Sequence, residues 1–265
     1  MLDLFKFFIT FTFSSLFILS ISMPQKGVIN YSFKDSDPHS AVYASSSLDE
    51  SDFSKRYVSP IVKITLMSKS PMGDSSHSVA TGFSVKYDLV NNVSYIITND
   101  HFCDSKKDLP FDYEFLFEES DNIFSFKGDN YDGSLVIVSR SAERDLCLLK
   151  ADKKIQPVTL SPEDYKSNIM EKVISIGAPN GVFPIATETY LSGAFERTAN
   201  MIEGDPLLLL SATVFQGQSG SPVYNRRGEV IGVIFIGFEN AKEHIPGSLA
   251  IPISDVRIFL KESGI

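Results

Sequence analysis

The sequence predicts an all-β fold, and three observations predict it. From Tyr57 onward short apolar runs recur with turn residues between them, β-branched and aromatic residues are plentiful, and the 16 glycines and 13 prolines are spread along the chain. Such a pattern fits a barrel or a sandwich of short strands, and periodicity alone does not choose between the two. The chain has 265 residues, of which 43% are hydrophobic and 22% charged. That is enough apolar material for a sizeable core without help from disulfides. A formal net charge of -9 disfavours attraction to a phosphate backbone, so no nucleic-acid partner is expected.

The predicted strands run in order. Ile61-Val-Lys-Ile-Thr-Leu and Val79-Ala-Thr-Gly-Phe-Ser-Val alternate in polarity. Tyr95-Ile-Ile-Thr, Glu114-Phe-Leu-Phe, Leu135-Val-Ile-Val and Leu146-Cys-Leu-Leu follow. After a polar stretch at about 155–168 come Val173-Ile-Ser-Ile, Glu188-Thr-Tyr-Leu, Leu207-Leu-Leu-Leu, Pro222-Val-Tyr and Val230-Ile-Gly-Val-Ile-Phe-Ile. The polar stretch divides two β-units of similar size, about 57–155 and 165–253. One helix is predicted at the end, from about Ser254 to Glu262. Ser254 and Asp255 are its candidate caps, and Val256, Phe259 and Leu260 share one face.

The amino terminus has a different character. Phe7 to Ile21 is an apolar run preceded by Lys6. Its length suits a signal-peptide core and falls short of a full membrane span. Residues 1–22 therefore read as a signal peptide with cleavage after Ser22, or as an uncleaved anchor tethering the chain to a membrane through residues 7–21. Either places the rest of the chain outside the cytoplasm, as a secreted, periplasmic or membrane-anchored protein. Residues 23–56 are rich in Ser and Asp and bury too little apolar surface to offset their ordering entropy. They read as a disordered linker or a propeptide.

Three polar motifs carry the chemistry. Gly217-Gln-Ser-Gly-Ser-Pro offers a serine on a tight turn, with glycine free to take positive φ. The backbone N–H groups of Gly217 and Ser219 are the candidate oxyanion hole, in which one donor is worth ~3 kcal/mol of transition-state stabilisation. Alone, this motif is equally a hairpin loop. Upstream, an apolar strand ends at Thr98-Asn-Asp-His101, and histidine is the usual base for a serine nucleophile. Of the other three histidines, His39 falls in the Ser/Asp-rich stretch, and His77 and His244 sit in polar, loop-like surroundings. Between base and nucleophile lies Arg144-Asp145-Leu-Cys-Leu-Leu, where an acid opening an apolar strand can orient an imidazole.

The order His, Asp, Ser with gaps of 44 and 74 residues resembles that of the trypsin-like serine proteases. The local words do so as well. Thr81-Gly-Phe-Ser-Val, Ile97-Thr-Asn-Asp-His, Arg144-Asp-Leu-Cys-Leu-Leu, Gly217-Gln-Ser-Gly-Ser-Pro, Ile176-Gly-Ala-Pro-Asn-Gly, Ser192-Gly and Leu249-Ala-Ile-Pro-Ile look like HtrA/Deg and glutamyl-endopeptidase catalytic domains. The likeness spans about residues 57–262, with no PDZ domain expected after it. It implies two perpendicular six-stranded antiparallel barrels, a short C-terminal helix, and a serine endopeptidase acting on polypeptide substrates through an acyl-enzyme, with no metal or cofactor. His101, Asp145 and Ser219 would be its triad. Beside the histidine, where the family usually carries a small or apolar residue at one or both positions, this chain has Asp100 and Phe102.

The resemblance also locates a primary specificity pocket. Thr213 stands six residues before Ser219, where trypsin itself has an acid, so cleavage after Lys or Arg is disfavoured. The strand after the nucleophile lacks the histidine of glutamyl endopeptidases. Thr213, Val214, Ile234 and Phe235 are expected to line a mostly apolar pocket that prefers apolar residues before the scissile bond. Cys103 lies two residues after His101, and Cys147 two after Asp145. If His and Asp touch, the cysteines are close, which leaves a Cys103–Cys147 disulfide or two buried free thiols. The competing reading is a catalytically silent binding module on the same fold. An α/β-hydrolase is disfavoured, because its order is Ser, Asp, His.

Overall fold

Strand β6, Leu146–Ala151, shows how the sequence builds this protein. Leu146 and Leu148 join one apolar cluster, while Cys147, Leu149 and Ala151 join another. A strand alternates its side chains between two faces, and here both faces are buried, which is why the stretch reads as a continuous apolar run. In the computed structural model, which describes residues 53–69, 75–104, 121–162, 169–197, 202–238 and 247–265, such strands close into two barrels.

The first barrel is β1 (Ile61–Lys69), β2 (Ser75–Asp88), β3 (Val93–Thr98), β4 (Asp121–Lys127), β5 (Asp132–Ser141) and β6, closed in the order β1-β2-β3-β6-β5-β4. All its neighbours are antiparallel. Val62, Ile64, Leu66, Ile96, Phe124 and Phe126 fill its interior. A short helix, α1 (Asp100–Cys103), follows β3. The second barrel consists of β8 (Lys172–Gly177), β9 (Ile185–Phe195), β10 (Leu207–Leu210), β11 (Pro222–Tyr224), β12 (Glu229–Phe238) and β13 (Gly247–Pro252). Its order β11-β8-β9-β10-β13-β12 is closed by the β11–β12 pairing. Val173, Leu191, Leu208, Val223 and Ile231 fill it. A two-residue strand, β7 (Thr159–Leu160), adds in parallel to β12. Closure of both sheets leaves few exposed edges, and two six-stranded antiparallel barrels with a short C-terminal helix are the architecture expected.

A third cluster joins Ile61, Phe83, Ile97, Leu146 and Leu148 of the first barrel to Ile176, Tyr224, Val233 and Ile251 of the second. Val256, Phe259 and Leu260 of the C-terminal helix α2 (Ile253–Glu262) complete it. Burying several such side chains at ~1.5–3 kcal/mol each makes this seam a major part of the fold's stability.

The structure moves some boundaries. Residues 1–52 and the expected strand Glu114–Phe117 lie outside the described residues, so the expected leader and most of the expected linker do as well. The stretch 23–56 does not stay a linker to its end. Phe53 stacks on Tyr57 at 4.9 Å, Ser54–Val58 forms one π-helical turn, and Arg56 donates to Arg227 O at 2.6 Å. The second sheet likewise begins before 165, because β7 and the buried Ile155 and Ser161 occupy the stretch expected to separate the units. β4 and β13 were not anticipated as strands. Helix α2 starts after Pro252 without a side-chain cap. Asp255 faces inward to Arg197 and accepts from Asp205 N–H at 3.2 Å, so it caps nothing. His77 stands exposed on β2 and not in a loop.

Candidate active site

Strand β3 delivers the chain through Asn99 into α1, whose second residue is His101. Four residues are too few for a helix to sustain itself, and Asn99 makes no side-chain cap. The position of His101 is therefore set by neighbouring elements. The first is Asp145, in the turn between β5 and β6, held at φ 52° in the left-handed region. Its Oδ1 accepts from the His101 backbone N–H at 2.7 Å and its Oδ2 lies 2.8 Å from His101 Nδ1. Asn99 Nδ2 donates to Asp145 O at 3.1 Å, fixing the Asp145 backbone as well. A carboxylate only accepts, so Nδ1 carries the hydrogen and the ring's lone pair falls on Nε2. The Asp145 side chain is 5% exposed and that of His101 33%: the carboxylate is shielded and the imidazole meets solvent.

A second tie is the Cys103–Cys147 disulfide, whose Cα atoms are 6.5 Å apart. Of the two states the sequence leaves open, the structure has the bonded one. A third is Arg140 on β5, which reaches the buried Asp100 through Nε–Oδ1 at 2.6 Å and Nη2–Oδ2 at 3.1 Å. Hydrogen bonding to Asp100 pushes the Arg140 guanidinium above its ordinary pKa.

The Gly217–Ser221 turn lies between β10 and β11. Gly217 has φ 94° and Gly220 φ 82°, conformations that favour glycine. A Cβ on Gly217 would lie 2.2 Å from Ala178 O, and one on Gly220 2.1 Å from Thr81 O. Thr81 on β2 fastens this turn to the first barrel. Its N–H donates to Ser219 O at 2.9 Å, its Oγ1 donates to Gly217 O at 2.8 Å, and Ala178 N–H donates to that Oγ1 at 3.0 Å. Thr98 Oγ1, three residues before His101, donates to Thr81 O at 2.7 Å. The strand leading to His101 and the turn bearing Ser219 thus share Thr81 as a common anchor. Inside the turn Gln218 N–H donates to Phe215 O at 3.0 Å. The N–H groups of Gly217 and Ser219 donate to no group among the described residues. Gln218 is buried, whereas Ser219 stays partly exposed.

The four expected pocket residues separate. Thr213 is exposed, and Val214 packs against the second barrel's interior. Ile234 is 1% exposed within that interior, so it faces no substrate. Register shifts between Ile234 and Ile236, which pair with Ala250 and Leu249, leaving Phe235 as the extra residue of a bulge. Bulges re-aim side chains, and the Phe235 ring sits 6.3 Å from that of His101 at 62°. Sequence reasoning missed the roles of Thr81 and Arg140. The signal for Arg140 was Asp100 itself, an acid at the end of an apolar strand that needs a countercharge when buried. Among the described residues no three His, Cys, Asp or Glu side chains gather as metal ligands.

The profile of the trypsin-like peptidase domain matches residues 80–233, more than half of the chain. The chain belongs to the trypsin-like peptidase domain family. Among curated proteins it is similar to a probable periplasmic DegP-like serine endoprotease of Pseudomonas putida, 27% identical over 202 residues, or 74% of this chain and 38% of the relative. A DegP-like relative of the same description from Hahella chejuensis is 26% identical over 192 residues, or 71% of this chain and 37% of the relative. The chain thus spans well under half the length of these curated relatives. Among solved structures it resembles an HtrA-type protease with a tripeptide, at a TM-score of 0.61 and 16% identity, covering 80% of this chain and 62% of that one. It also resembles the serine endoprotease of Yersinia pestis, at 0.56 and 19%, covering 79% and 64%. At these identities the structural likeness is one of fold, and it is the two-barrel trypsin-like fold expected.

Proposed function

We propose that this trypsin-like domain is a serine endopeptidase in which His101, Asp145 and Ser219 form the catalytic triad. The observation that carries the reading is Asp145 gripping His101 at both its backbone N–H and Nδ1, beside a turn whose Gly217 and Ser219 N–H groups are unspent within the described residues. With Nδ1–H committed to Asp145, Nε2 takes the proton from Ser219 Oγ as that oxygen attacks the scissile carbonyl. Gly217 and Ser219 donate to the oxyanion. The imidazolium then protonates the leaving amine, an acyl-enzyme remains, and water attacks it with His101 again as base. The relatives' description as periplasmic endoproteases supports polypeptide substrates and a site of action outside the cytoplasm. Thr213, Val214 and Phe235 carry no charge, which supports an apolar preference before the scissile bond, with Ile234 removed from the lining.

The test is a fluorophosphonate probe on the full chain beside its Ser219→Ala variant. Labelling of the parent alone is the expected result. A folded parent that resists the probe would refute the triad and move the chain to a binding module on a protease fold.

A further inference from the structure

Helix α1 is bracketed by one guanidinium. Arg140 holds Asp100, its first residue, through two hydrogen bonds of 2.6 and 3.1 Å, and reaches Asp104, its C-cap, at 3.3 Å. Asp100 is fully buried, whereas the Arg140 side chain is about a third exposed. Arg140 also stands opposite Cys147 in the β5–β6 ladder, and Cys147 is bonded to Cys103 at the other end of the helix. One rung of the sheet therefore grips both ends of the four-residue segment that carries His101.

We infer that Arg140 is a positioning residue, acting through Asp100 to hold His101 against Asp145. The inference rests on the triad reading above, and its chemistry is specific. A bidentate fork fixes both the distance and the plane of the Asp100 carboxylate. Helix α1 closes a single turn, Asp104 N–H donating to Asp100 O at 2.9 Å, and that one backbone bond is too little to hold the segment or to fix the Asp100 carboxylate. Removing the fork also strands a buried carboxylate one residue from the base, so the turn is driven to open toward water. A misplacement of ~1 Å costs on the order of 100-fold in rate, and it falls on the chemical step, because among the described residues the Arg140 guanidinium is bound to Asp100 and Asp104, neither of them assigned to substrate binding.

The experiment compares the full-length parent with Arg140→Met and Arg140→Lys. For Arg140→Met, kcat on a peptide substrate is expected to fall roughly 10- to 100-fold with KM within about twofold. Arg140→Lys, which keeps the charge and loses the fork, is expected in between. A folded Arg140→Met with kcat within about twofold of the parent overturns the inference. Amide hydrogen exchange in the Ser219→Ala background supplies a readout independent of turnover. The His101 N–H, bonded to Asp145, is expected to exchange at least ~10-fold faster in Arg140→Met while the strands of the first barrel keep their protection. Unchanged exchange at His101 overturns the positioning role whatever the activity. A parent that cleaves no peptide overturns the triad reading alone, and exchange still decides this one. If Arg140→Met does not fold, Asp100→Asn combined with Arg140→Met removes the stranded charge. Fast exchange at His101 in that pair supports the inference, and parent-like exchange overturns it.

Discussion

Replacing Thr81 by valine tests whether the Gly217–Ser221 turn is held from the opposite barrel. The substitution keeps the branched shape and removes one oxygen. Thr81 is 0% exposed, and its hydroxyl serves two buried groups: it donates to Gly217 O at 2.8 Å and accepts from Ala178 N–H at 3.0 Å. Valine leaves both unpaired, at roughly 1–3 kcal/mol each, so about 2–6 kcal/mol of stability is expected to go. Little of this comes from a cavity, because a methyl takes the place of the hydroxyl. Thr81→Ser, which keeps the oxygen and drops the methyl, separates the two causes and is expected to cost about 1 kcal/mol. Stability is read by urea denaturation in the Ser219→Ala background, which prevents self-cleavage, and kcat in the active background. The Gly217 carbonyl loses the hydrogen bond from Thr81 Oγ1, and kcat is expected to fall about 10-fold or more. If Thr81→Val lies within about 0.5 kcal/mol of the parent and turns over at the parental rate, the turn is organised by its own glycines and the anchoring argument fails.

Two further outcomes follow from other parts of the molecule. Replacing Cys103 and Cys147 together by alanine opens a loop of 44 residues and is expected to cost about 3–4 kcal/mol in denaturant; an intact mass that gains two hydrogens under denaturing reduction checks that the bond is present in the parent. The Glu229 carboxyl is held below its ordinary value, chiefly by hydrogen bonding from Asn225, with Arg227 adding to it. A depressed carboxyl contributes stability above its unfolded value of about 4.3 and loses it as pH falls through the folded value. The Tm advantage of the parent over Glu229→Gln should therefore be present at neutral pH and shrink below about pH 4; an advantage that is flat with pH would show that the pair contributes nothing.

What the sequence determined by itself was local or strongly patterned. Strand alternation in Ile61–Leu66, the apolar runs of Leu146–Leu149 and Leu207–Leu210, and the amphipathic end of the chain place most strands and the last helix, because burial on a sheet or helix face imposes a period. The Gly217-Gln-Ser-Gly word around Ser219 was legible for a similar local reason, since the positive φ of Gly217 and Gly220 demands glycine at fixed offsets, whereas the words around His101 and Asp145 stood out through their order and their resemblance to the trypsin-like proteases. What the tertiary structure alone decided depends on distance in space. Arg140 meets Asp100 across 40 residues, and Thr81 meets Gly217 across 136; no local pattern encodes either pairing. The same holds for β12, where a one-residue bulge sends Ile234 into the core and turns Phe235 toward His101. Both residues are apolar and β-compatible, so composition reads them alike, and only the register against β13 tells them apart.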